Sequence, residues 1–308
     1  MTSETAGAKP MWSTRIGAMQ VQRVEEMLTP GFLPSFLFPD YDPAVLVEHP
    51  ELAAPEFFHA ATGRLMSSMQ TWLLRTGDQV VIVDTGCGND KIRTNEAFSR
   101  FHQLQLPYLE RLAACGVRPE DVTMVINTHL HVDHVGWNTR LSDGKWVPTF
   151  PNARYLFGRH ELEHWRDPEG GPRLHPWGIP VIIDSVDPVI EAGLVDLIDD
   201  GDTILPGVSV RAVPGHTAGQ LAICLASEGA SGIFTADVFH QPMQIARPDW
   251  NSCFCEVPTA AINTRKRLLA DAADTGAVLF PSHTGAPHAG RVARAGAGFR
   301  FLPLDLER

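Results

Sequence analysis

The chain has 308 residues, 44% of them hydrophobic and 20% charged, with a net charge of -11. That suits a globular enzyme with a substantial buried core, and the acidic balance argues against nucleic acid or an anionic membrane surface as a partner. No run approaches the ~20 apolar residues of a membrane span, Met1–Pro10 lacks the apolar core of a signal peptide, and five scattered cysteines form no disulfide framework, so a cytoplasmic location is expected.

The whole chain, 1–308, reads as one domain with a tail over 1–14 and an irregular N-terminal segment over 29–60. Alternation predicts a first strand near Ile16–Glu25. Residues 29–43 carry prolines among Phe32, Leu33, Phe36, Leu37 and Phe38, so they form no regular element. A loop this apolar must cover the core, a substrate pocket or a second copy of the chain, and the last option makes a homodimer the expected assembly. Met69–Arg75 and Gln79–Asp84 flank Thr76-Gly77-Asp78 as a hairpin. Residues 96–114 carry helical spacing. Val122–Asn127 and Ala153–Phe157 read as strands, and Arg159–Trp165 opens a helix. Val208–Val213, Leu221–Ala226 and Gly232–Ala236 follow as strands, Thr259–Ala273 as a helix and Val278–Phe280 as a last strand. This order predicts an α/β architecture of two mixed β-sheets packed face to face, with helices outside.

Val122–Asn127 runs directly into His129-Leu130-His131-Val132-Asp133-His134. In extended chain, residues two apart point the same way, so His129 and His131 can face one ion. Asp133 and His134 follow where the chain must turn, and can face a second point nearby. Ligand-type residues recur at later strand ends: His216 in a Pro-Gly-His-Thr turn, Asp237 after Ile233–Ala236, and His283 after Val278–Ser282.

With these residues in this order, the chain resembles the metallo-β-lactamase superfamily, and within it the methyl parathion hydrolase and quorum-quenching lactonase-like members. Val83-Asp84-Thr85-Gly86, Phe150-Pro151-Asn152-Ala153 and Gly298–Pro303 add to the likeness. The resemblance implies a four-layer αββα sandwich with two divalent ions at one edge. His129, His131 and His216 would hold one ion, Asp133, His134 and His283 the other, and Asp237 would bridge them. Mixed imidazole and carboxylate donors suit zinc, and manganese, iron or cobalt accept the same set. Such ions lower the pKa of water to roughly 7, and Asp133 is the expected catalytic residue, orienting that water and moving its proton. Two positions depart from the family pattern: Ala218 stands where Pro is usual, and Gln220 where His is common.

Asp84, at the end of a buried strand, is expected to orient a ligand histidine. Trp137 is expected to line the substrate pocket, with Phe32, Phe36, Trp250 and His288 as further pocket candidates. His160-Glu161-Leu162-Glu163-His164 matches the zinc-peptidase helix motif but reads as a solvated amphipathic helix. Asp84-Thr85-Gly86 matches an aspartic-protease triplet, but that chemistry needs a second copy of it. The expected activity is hydrolysis of a small, fairly apolar and uncharged ester, lactone or phosphotriester, extending to hydrolytic dehalogenation. An iron-dependent thiol dioxygenase or redox enzyme of the same fold is the alternative.

Overall fold

The computed structural model describes residues 12–296 and 298–304. Of the expected tail, residues 1–11 lie outside the described residues, whereas Trp12 is buried against Trp72. Two mixed sheets form the centre. The first holds β1 (Ser13–Ile16), β2 (Met19–Pro30), β3 (Phe58–His59), β4 (Arg64–Thr76), β5 (Gln79–Val83) and β6 (Met124–Asn127). A separate ribbon, β7 (Thr139–Ser142) with β8 (Lys145–Pro148), follows, and then β9 (Arg154–Gly158) and β10 (Val195–Ile198) complete the first sheet. Its order is β1-β2-β4-β5-β6-β9-β10, with β3 on β4 and parallel pairing from β5 to β10. The second sheet runs in chain order through β11 (Thr203–Leu205), β12 (Val208–Ala212), β13 (Leu221–Ser227), β14 (Ala230–Ala236), β15 (Val278–Pro281), β16 (Gly290–Ala295) and β17 (Gly298–Pro303). There β14 and β15 pair in parallel.

Strand alternation builds three apolar layers from these two sheets. Val81, Val83, Ile126 and Leu156 face Ile223, Phe234, Val278 and Phe280 between the sheets. Ile82, Val125 and Tyr155 point the other way, against Leu112 and Val189 of the outer helices. Ala222, Ile233 and Leu279 pack on Leu268, Leu269 and Ala272 of helix Pro258–Thr275. The result is an αββα sandwich.

Residues 96–114 do not form one helix. A short 3-10 helix, Glu96–Phe101, is separated from helix Tyr108–Ala114: His102 is extended and Gln103 has a left-handed φ of 48°, and the second helix starts only after Pro107. The 29–43 segment is mostly folded onto its own chain. Leu37 and Phe38 join Val45, Leu52, Leu65, Met243 and Trp250 in a small cluster. A register shift in the β2–β4 pairing falls between Glu25 and Met27. The fully buried Glu26 there accepts hydrogen bonds from Cys87 N, Gly88 N and Trp137 Nε1 at 2.6–2.9 Å. Burial pushes its carboxyl up, partly offset by those donors.

Candidate metal centre

Four loops leaving strand ends converge at one edge of the sandwich. β6 delivers residues 128–135, β12 the turn 213–220, β14 Asp237, and β15 His283. Asp237 lies at the middle. Its carboxylate oxygens are 3.1 Å from His283 Nε2, 3.3 Å from His216 Nε2, 3.5 Å from His134 Nε2 and 3.9 Å from His129 Nε2. His131 Nδ1 is 2.9 Å from His216 Nε2. Asp133 stands 3.7 Å from both His134 Nε2 and His283 Nε2. Donor atoms of His129, His131 and His216 lie within 4.8 Å of one another, as do those of Asp133, His134 and His283.

The rings are held from behind. Asp84, at a left-handed φ of 56°, accepts from Thr128 N, Thr128 Oγ1 and His134 Nδ1, all at 2.8 Å. His283 Nδ1 donates to Ser68 O at 3.1 Å. Both contacts leave the rings' Nε2 atoms facing the cluster. Gly219 permits a close approach: a Cβ there would sit 2.2 Å from Glu161 N.

Buried nitrogens with no hydrogen-bond partner occur on His129, His131 and His134 (Nε2) and on His216 and His240 (Nδ1). Each such orphan costs about 1–3 kcal/mol. Of these, His129 Nε2 and His134 Nε2 face Asp237 at 3.9 and 3.5 Å. Buried donors left open beside a carboxylate are what a site for divalent cations requires, so the donor set fits the metals that the sequence resemblance implies.

Burial holds the pKa of His129, His131 and His216 well below the usual imidazole value, aided by neighbouring histidines. Burial acts the same way and is the largest single effect on His134 and His283, but the carboxylates around them together outweigh it, Asp237, Asp84 and Asp133 at His134 and Asp237 with Asp133 at His283, and both are raised. Asp237 is lowered well below the carboxylate range: burial opposes this, but His283, His134 and His240 prevail. Two opposite slopes follow for the metal-free protein. Below the unfolded pKa of about 6.5, the first three histidines take up protons only on unfolding, so stability falls towards acid. His134 and His283 contribute stability fully below that pKa and lose it as pH rises through their raised values. Melting temperature after chelation should therefore peak near pH 6.5. A monotonic trend from pH 5 to 9 would contradict these assignments.

The pocket differs from expectation. A narrow, partly enclosed cavity opens over Asp133, Asp237 and His283. Its walls are Phe32, Leu37, Met69, Phe98, Trp177 and Phe254. Of the five pocket candidates, Phe32 alone lines it. Trp137 sits in the core instead, stacked 4.9 Å from Tyr108 and bonded to Glu26. Trp250 packs under residues 37–52, with Phe38 and Tyr41. His288 is buried with Nδ1 donating to Thr284 O at 2.9 Å. Phe36 is exposed, resting on Phe32 and Phe254.

Two further residues matter. His240, three positions after Asp237, has Nε2 3.3 Å from Asp237 and lines the cavity; the Asp-x-x-His spacing was its only sign in the sequence. Glu161 is buried rather than solvated, and it accepts from Leu130 N, Trp165 Nε1, Thr217 Oγ1 and Gly219 N at 2.7–3.1 Å. It thus ties the His129–His134 loop to the His216 turn. In the same motif, His160 is exposed and His164 pairs with Glu256 at 3.0 Å.

Residues 69–283 match the sequence pattern of the metallo-beta-lactamase superfamily. The chain belongs to the metallo-β-lactamase superfamily. Within it, an N-acyl homoserine lactonase of a Bacillus species is 26% identical over 170 residues, covering 51% of this chain and 58% of that protein. The chain spans about half the length of such curated relatives. Two solved structures of the fold cover 97% of this chain and are themselves covered to 98%. One is the hydrolase AbOPH, with a TM-score of 0.80 at 23% identity. The other is AidC, a dizinc quorum-quenching lactonase in complex with its product, with a TM-score of 0.74 at 21% identity. At these identities the likeness is one of fold. Among the described residues, no helix is long and apolar enough to cross a membrane.

Proposed function

We propose that this chain is a metal-dependent hydrolase that opens a small, fairly apolar lactone or ester, with phosphotriesters as electrophiles of the same kind. The observation that carries this reading is the convergence of five imidazoles on the buried Asp237, with unpartnered Nε2 atoms on His129, His131 and His134, beneath an apolar cavity. The lactonase named among the relatives supports the substrate class.

In this reading His129, His131 and His216 would hold one divalent ion, Asp133, His134 and His283 a second, and Asp237 would be shared between them. Two such ions, zinc first by donor type, would supply an activated water at neutral pH and Lewis acidity towards the attacked oxygen. The chain's own groups do the rest. Asp133, partly open to the cavity, accepts the proton of the attacking water and returns it to the leaving oxygen. His240 donates a hydrogen bond to the attacked carbonyl or adds a further donor to the centre. Phe32, Phe98 and Phe254 shed water around the apolar part of the substrate. A homodimer would rest on Leu33 and Phe36, the exposed large apolar side chains of the 29–43 segment, and sedimentation reads it directly.

The test is a hydrolysis panel with zinc-loaded protein: lactones, aryl esters, phosphotriesters, β-lactams and chlorinated aromatics. Turnover is expected for lactones or aryl esters and is expected to vanish on chelation. Turnover that survives complete metal removal would refute the proposal.

A further inference from the structure

Beyond the catalytic cavity, and sharing Phe32 with it, lies an open groove of about 1500 Å³. Arg64 and Arg100 line it. Neither guanidinium forms an ion pair among the described residues. Arg64 Nη1 donates to Gly31 O at 2.8 Å. Arg100 Nη2 donates to Thr29 Oγ1 at 2.8 Å, and its Nη1 is buried with no hydrogen-bond partner. A methyl group added at Gly31 would lie 2.8 Å from that nitrogen and 2.7 Å from Cβ of Ser67, which lines the catalytic cavity. Arg100 also packs over Phe101, another residue of the cavity wall. It therefore stands in the partition between cavity and groove. Glu96, on the same rim, pairs with neither arginine.

A half-buried guanidinium with an orphan N–H lacks a planar, two-oxygen acceptor. In a chain of net charge -11, two unpaired arginines beside the reactive cavity are a specific feature and not a general basic surface. We propose that Arg100, assisted by Arg64, forms a carboxylate subsite for the far end of the substrate. The preferred electrophile then has an apolar middle, a lactone or ester at the metal centre, and a carboxylate in the groove. This rests on the hydrolase reading above and narrows its substrate class.

The experiment compares 4-nitrophenyl monoesters of linear dicarboxylic acids, from succinate to sebacate, with esters of monocarboxylic acids of equal length. At one chain length, kcat/KM for the carboxylate-bearing ester should exceed that of its neutral partner by roughly tenfold. High salt should weaken that preference. In Arg100→Met the ratio should fall to near one, and in Arg64→Met it should fall part of the way, so the exposed position still reports if the first variant folds poorly. No preference at any length, or a preference unchanged in both variants, overturns the subsite. Should neither ester series be hydrolysed, the hydrolase reading fails on its own. Calorimetric binding of adipic acid monoamide, with hexanamide as the neutral control, then decides the subsite: roughly tenfold weaker binding to Arg100→Met supports it, and equal binding overturns it.

Discussion

Asp237→Ala is expected to bind at most one divalent ion per chain and to lose lactone or ester turnover by about a thousandfold or more, the equivalent of several kcal/mol of charge stabilisation. The reason is its central position. Its two oxygens lie within 3.9 Å of five imidazoles, those of His129, His134, His216, His240 and His283. Without it, no carboxylate joins the His129–His131–His216 group to the Asp133–His134–His283 group. His134 and His283 also lose the anion that most raises their pKa. The backbone need not move, since Asp237 N bonds only Gln220 Oε1 at 3.3 Å, so circular dichroism should be unchanged. Metal content by elemental analysis and turnover on the same sample check this. Two bound ions with wild-type turnover would contradict it.

Glu161→Ala should produce the largest loss of stability of any single substitution near the site, about 3–5 kcal/mol. Four donors converge on this one buried carboxylate: two backbone N–H groups, an indole and a hydroxyl. Alanine leaves all four unsatisfied and opens a void where Thr217 and Trp165 meet. For a chain of this size the melting temperature should fall by about 5–8 °C. Zinc affinity should fall with it, since Leu130 and Thr217 flank the histidines that the carboxylate holds in register. Glu161→Gln keeps one acceptor oxygen and should lie between. A melting temperature within about 2 °C of wild type would show that the four bonds carry little.

Much of the architecture was legible because it is local. Val80–Val83, Val122–Asn127 and Val278–Phe280 announce buried strands by composition; the first and last lie within strands, and the second holds one that begins at Met124. The residues of the centre stand directly beyond those strands, so their convergence followed from strand order. Features set by distant contacts were not legible. Trp137 is only three residues past His134, yet the chain doubles back between them. Gly136 there meets Cys87 so closely that a Cβ would lie 1.9 Å from Cys87 C, and the indole turns into the core. Glu161 looked solvated because its donors come from residues 130, 217 and 219. The cavity wall draws Phe98 and Phe254 from opposite ends of the sequence, 5.5 Å apart, and no periodicity joins them. Arg100 escaped notice for the same reason: the groove became cationic only when Arg64 and residues 27–33 folded beside it.

The most direct test is a metal titration of chelator-stripped protein, with bound zinc and lactone or aryl-ester turnover followed together. No turnover is expected without metal, and activity should climb until two ions are bound per chain and then stop. Full turnover by the stripped protein, or saturation with no ion bound at the His129–His134 loop, would contradict it.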